Sequence, residues 1–147
     1  MADDQAALLM AIALRRVSER YACAVDCGDG DLLAAQFTPD GVVESPRGKF
    51  VGPEQLSGIP AMVANRYLKT FHAVLNQMVE PIEGGAEGET YCIARHYFHD
   101  PAGRYLCYEM TIRYQDRFAR TSTGWKLSRR ALTVVGTHTY EAQETPN

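Results

Sequence analysis

The 147-residue chain has the length of one domain and can bury one hydrophobic core. With 46% apolar and 22% charged residues it reads as globular, and a net charge of −3 with scattered Lys and Arg argues against a nucleic-acid partner. No apolar run approaches the ~20 residues of a membrane-crossing helix; AALLMAIAL follows Asp3 and Asp4 and precedes Arg15 and Arg16, the wrong polarity for a signal peptide, so the expected location is cytoplasmic and no membrane partner is expected.

Residues 5–27 place Leu14, Val17, Tyr21 and Ala24/Val25 at three- and four-residue spacing, which predicts an amphipathic helix. Gly28 ends it, and Asp29 or Asp31 caps a second, short helix in DLLAAQF. TPDG (Thr38 to Gly41) predicts a turn into a short strand, VVES. RGKFVGPEQL then predicts another turn, with Gly52-Pro53-Glu54 opening a third helix that reaches about Asn65. From Leu68 the pattern changes to long strands rich in aromatic and β-branched residues, separated by GGAEG, DPAG and TSTG turns. Three helices followed by a four-stranded antiparallel meander make an α+β domain, in which bent strands create a concave face for helices to cover. The tail EAQETPN is expected to fray.

Cys23, Cys27, Cys92 and Cys107 form no C-x-x-C pair and fall inside predicted helix or strand, so they read as free thiols. Cys23 and Cys27 share a helix face, but no matching His or Cys cluster completes a metal site.

Alternation sorts the strands into faces. Thr70, His72, Val74, Asn76 and Met78 share one face, with Phe71, Ala73, Leu75 and Gln77 on the other. Tyr108, Met110, Ile112 and Tyr114 form a buried set opposite Cys107, Glu109, Thr111 and Arg113, and Arg130 shares an apolar face with Leu132 and Val134. Asp26, His72 and Arg130 are thus three unlike polar residues in apolar surroundings. Singly, each has a structural account: a helix-end cap, a satisfied histidine, a snorkelling arginine. One buried acid–base cluster accounts for all three.

The order Tyr21-x4-Asp26, FTPDG, G-x-E before a helix, FHAVLNQMVE, DRFAR with a following GW, and SRR resembles the SnoaL-like branch of the nuclear transport factor 2-like superfamily, over about residues 8–136. The resemblance implies a cone-shaped α+β barrel with an interior cavity: three N-terminal helices on a strongly curved antiparallel sheet, assembled as a homotrimer or a dimer. Within that branch the nearest likeness is to cofactor-free lyases: bile acid 7α-dehydratase, hexachlorocyclohexane dehydrochlorinase, scytalone dehydratase and diarylpropane lyases. It implies an Asp26–His72 pair with Arg130 on the last strand and Tyr21 as the matching tyrosine. The dehydrochlorinase lysine has no equivalent, and the register leaves open which of His96 and His99 matches the second histidine of scytalone dehydratase.

The expected chemistry is base-driven elimination of water, halide or formaldehyde from a hydrophobic aromatic or polycyclic molecule. Asp26 fixes the tautomer of His72, His72 removes the proton, and Arg130 or Tyr21 assists the leaving group. Tyr108, Met110, Ile112, Tyr114, Ile93 and Leu132 are the expected substrate-binding side chains. No step calls for a metal, nucleotide or flavin, and no cofactor is expected. An isomerase or cyclase using the same acid and base, and a non-catalytic binding module, are the alternatives. An outer sheet face carrying Phe71, Gln77 and Arg113 has no second layer to cover it, which predicts a homo-oligomer.

Overall fold

The computed structural model describes residues 1–146. Helix α1 (Ala2–Cys27) starts three residues before the expected boundary and buries Leu14, Val17, Tyr21, Ala24 and Val25 on one side. Gly28 stops it in a left-handed conformation (φ 71°) that a side chain rarely adopts, with its N–H turned back to α1 carbonyls. The chain therefore reverses two residues after Asp26. Asp29 caps α2 (Gly30–Ala34) by accepting from Leu32 N–H at 2.9 Å.

Four local expectations change. TPDG lies inside β1 (Phe37–Ser45) as an irregularity: pairing with the last strand jumps between Phe37 and Val42. GKFV forms a strand, β2 (Gly48–Val51), hairpinned onto β1. The third helix is two short ones, α3 (Gly52–Ser57) and α4 (Ile59–Ala64). Pro60 in the first turn of α4 lacks the N–H that a continuous helix would use there. The first long hairpin turns at Glu83–Gly84, with the rest of GGAEG already paired.

The expected meander is present as β3 (Lys69–Ile82), β4 (Gly85–His99), β5 (Tyr105–Thr121) and β6 (Gly124–Glu141), each antiparallel to the next. It is extended, however, into a six-stranded sheet of order β2-β1-β6-β5-β4-β3, joined through a parallel β1–β6 pairing. The α+β architecture, helices on a curved sheet, is as expected. Helix α1 packs chiefly along β3, and Arg15 ties the two by donating to the carbonyls of Val74, at 2.7 Å, and Leu75.

Those carbonyls sit beside a bulge, where pairing with β4 shifts between Val74 and Gln77. The extra residue inverts the facing of everything after it. Gln77, expected outside, points inward and donates to Ser18 and Thr90. Met78, expected to share the His72 face, is 77% exposed.

Candidate functional site

The concave side of the sheet, closed by α1, α3–α4 and the β1–β2 hairpin, encloses a cavity of about 290 Å³. Tyr108, Met110, Ile112, Tyr114 and Leu132 line it as expected. Ile93 does not. Cys92, Ala94 and His96 are among the buried residues of β4, so by alternation Ile93 faces outward. Val25, from the expected buried stripe of α1, also lines it. Walls contributed by Val43, Phe50, Ile59, Met62 and Val63 went unrecognised in the sequence, because they come from short elements whose boundaries differ from those expected.

Asp26 and His72 meet. The Asp26 Oδ1 lies 2.7 Å from His72 Nδ1, Oδ2 accepts from the His72 backbone N–H at 2.9 Å, and Thr70 Oγ1 donates to Oδ1 at 2.8 Å. Partial burial would raise the Asp26 carboxyl, but the His72 and Thr70 hydrogen bonds outweigh it and hold the group below its ordinary value. The carboxylate is not sealed in, as the sequence suggested: its side chain is 23% exposed against 8% for His72. Asp26 opens onto an outer groove with Arg15, Glu19 and Cys23, while His72 borders both this groove and the cavity. The imidazole is thus a piece of the wall. A carboxylate only accepts, so Nδ1 carries the proton and Nε2 presents a lone pair.

A second imidazole stands beside it. His96, not His99, is the cavity residue, with its ring centroid 5.6 Å from that of His72 in an edge arrangement. His99 lies outside, paired with Glu144. Burial pushes His96 down to about 4. Its Nδ1, 3.1 Å from the Tyr108 carbonyl, must donate, so the neutral ring also offers an acceptor at Nε2. Tyr67 packs on His96 with centroids 4.7 Å apart, and Arg47 donates to the Tyr67 hydroxyl at 2.8 Å. The sequence held one usable signal for His96: it is on the buried parity of β4, as Cys92 and Ala94 are.

Tyr21 lines the cavity, and burial pushes its phenol up to about 12. Arg130, expected beside the dyad, is instead behind the wall. It is 1% exposed, does not border the cavity, and lies between the Tyr21 and Tyr114 rings at 4.5 and 4.0 Å. Its guanidinium grips Asp116 through two hydrogen bonds of 2.8 Å and reaches Ser18 at 3.0 Å. Thr90 donates to the same carboxylate at 2.7 Å. Burial alone would lower the Arg130 pKa; the Asp116 pair raises it above the ordinary value. Asp116 escaped the sequence reading because it meets Arg130 only through cross-strand register.

Cys23 and Cys27 are exposed, with sulfurs 3.7 Å apart, whereas Cys92 and Cys107 are buried; all are free. Among the described residues no group of three or more His, Cys, Asp or Glu is placed to hold a metal. No helix among them is long and apolar enough to cross a membrane.

The family model of the SnoaL-like domain matches residues 7–131. Solved structures with the same fold include a hexachlorocyclohexane dehydrochlorinase, LinA-type3, from Novosphingobium barchaimii (16% identity, 98% of this chain and 99% of that one, TM-score 0.83). A candidate scytalone dehydratase from Novosphingobium aromaticivorans is similar at 22% identity (97% and 94% covered, TM-score 0.79). The Kfla4162 protein of Kribbella flavida is similar at 18% (90% and 95% covered, TM-score 0.80). No curated protein matches the sequence. At these identities the likeness to solved structures is one of fold.

Proposed function

The chain belongs to the SnoaL-like domain family, and with that as premise we propose that it is a cofactor-independent lyase acting on a hydrophobic aromatic or polycyclic small molecule. The observation that carries the reading is the Asp26–His72 pair set into the wall of an otherwise largely apolar cavity. The dehydrochlorinase and dehydratase names among proteins of this fold point to the same reaction class.

In the proposed step, Nε2 of His72 takes a proton from a substrate carbon or hydroxyl, and Asp26 stabilises the imidazolium across the Nδ1 hydrogen bond without itself becoming protonated. Tyr21, with a phenol at about 12, stays protonated at neutral pH and is the side chain proposed to donate to the departing oxygen. Neutral His96 offers an acceptor to a substrate hydroxyl but has no cavity-side proton to give. Arg130 acts at one remove, as a positioning residue that fixes the Tyr21 ring. The proposed setting is the cytoplasm.

The partners proposed are the small molecule and further copies of the chain, a trimer or dimer. Phe71, Leu75 and Met78 of β3 are apolar and at least 40% exposed, and Leu8, Leu9 and Ile12 of α1 are exposed as well. The test of the reaction is mass spectrometry of products from a panel of hydroxylated and halogenated aromatic compounds. Loss of water, hydrogen halide or formaldehyde that disappears in His72→Ala supports the lyase. A product of unchanged mass redirects the same dyad to isomerisation, and no turnover by folded protein leaves a binding module.

A further inference from the structure

We infer that the molecule this cavity accepts is an aromatic carboxylate, and that Arg47 is the residue that selects it; this deepens the reading of the cavity as a substrate site and rests on it. Among the described residues Arg47 is the one side chain of fixed charge bordering the cavity, and no Asp or Glu borders it. An anion entering there meets a cation and no opposing carboxylate.

Arg47 also lacks a counter-charge of its own. On the outer face of the sheet Arg95, Arg113, Arg117 and Arg129 are each matched to a glutamate at 2.6–2.9 Å. Among the described residues Arg47 has no carboxylate within ion-pair distance. Its guanidinium donates instead to a hydroxyl, that of Tyr67, reached from Nη2 at 2.8 Å. A guanidinium has five N–H donors in a planar fork, so most of its capacity to grip a carboxylate is left over.

Position adds a second, independent argument. Arg47 sits in the turn between β1 and β2 at one edge of the sheet, whereas Tyr67 lies two residues before the start of β3 at the opposite edge. The Arg47–Tyr67 contact therefore spans the open side of the curved sheet and fixes the cation over it, 5.7 Å from the ring centroid. From there the contacts run inward through His96 to His72. The Arg47 charge is felt along this line: after burial and the nearby Tyr108 and His72, it is a further influence on the His96 ring. A carboxylate on Arg47 would lay its aromatic body over Tyr67 and His96 and aim its far end at the base. The geometry thus also separates the two ends of the substrate, with the anionic group remote from the carbon that reacts.

The experiment is calorimetric titration of the full chain with 2-naphthoate and its neutral isostere 2-naphthamide, at neutral pH and low salt. Wild-type protein is expected to bind the carboxylate about tenfold or more tightly than the amide, the scale of one charge-assisted fork contact. Arg47→Gln should bring the two affinities to near equality by weakening naphthoate alone, Arg47→Lys should restore part of the preference, and His72→Ala should retain it. Equal affinities in the wild type, a preference indifferent to Arg47→Gln, or no binding of either probe overturns the inference. A carboxylate preference in a protein that performs no elimination would sink the lyase reading and leave this one standing. Elimination without the preference would do the reverse.

Discussion

Two polar clusters flank the cavity, built from similar materials to different ends. In the Arg130–Asp116 cluster the Asp116 carboxylate takes two bonds from the guanidinium and one from Thr90, and Ser18 and Gln77 complete the set. Every member is spoken for, and both charges are essentially out of solvent, at 1% and 0% side-chain exposure. In the Asp26–His72 cluster the carboxylate is equally well served, but among the described residues one ring nitrogen has no protein partner, and the carboxylate meets water. Saturation makes the first cluster a strut. A single vacant lone pair backed by a charge is what the proposed reaction asks of the second.

The sharpest way to break this contrast is to cut the strut. Arg130→Met should leave the buried Asp116 carboxylate with Thr90 but without its counter-charge and cost about 3–5 kcal/mol in denaturant unfolding. The double variant Arg130→Met/Asp116→Leu should recover a large part of that loss, since no orphaned charge remains. Unchanged stability in Arg130→Met would mean that the strut does not bear on the fold.

His72→Ala is the matching experiment on the other side, with the opposite signature. Turnover should fall ~10²–10⁴-fold, the usual worth of a general base, while unfolding shifts by no more than about 1 kcal/mol. Asp26 keeps its Thr70 and backbone partners in that variant, so little is left unpaired. A large stability loss with unchanged turnover would merge the two clusters into one kind.

His96 gives a third, pH-based comparison. Its folded-state pKa of about 4 lies below the ordinary ~6.5, so the unfolded chain binds the extra proton first. Its contribution, at most about 3 kcal/mol, is complete above pH 6.5 and disappears as pH falls toward 4. Asp26, held below 3.8, loses its contribution only at still lower pH and leaves that window untouched. Thermal melts between pH 7 and 4.5 should therefore show a decline that His96→Gln flattens.

The smallest effect is expected from Thr70→Val, which deletes one donor to Asp26. Stability should drop by about 1 kcal/mol and turnover by less than tenfold, read by denaturation and steady-state rates. A loss as large as that of His72→Ala would place Thr70 in the chemistry itself.

What could be read from the sequence follows the range of the physics involved. The four long strands and α1 announce themselves through local periodicity, and Asp26 and His72 through being polar at apolar positions. The β2 strand is four residues, Gly48 to Val51, too short for a period to register. The parallel β1–β6 join is a non-local pairing with no local signature. Alternation placed Tyr108 to Tyr114 correctly because β5 keeps its facing there, and misplaced Gln77 and Met78 because one extra residue in β3 resets the count. Arg130 was recognised as inward-facing. Its partner was not, because Asp116 lies on another strand and only the sheet register brings them together.

Setting His72 into the wall has a consequence for where hydrogen goes. The ring borders the cavity on one side, and its Nδ1–H lies on a carboxylate that touches bulk water on the other. In the proposed transfer a hydrogen taken from inside rests on Nε2, while the hydrogen open to exchange is the separate one on Nδ1, and the two do not mix unless the ring turns over. In heavy water, reversal of the transfer while the mouth stays occupied would therefore return the hydrogen first taken, and starting material recovered after partial turnover would carry no label at the one carbon that had faced the ring.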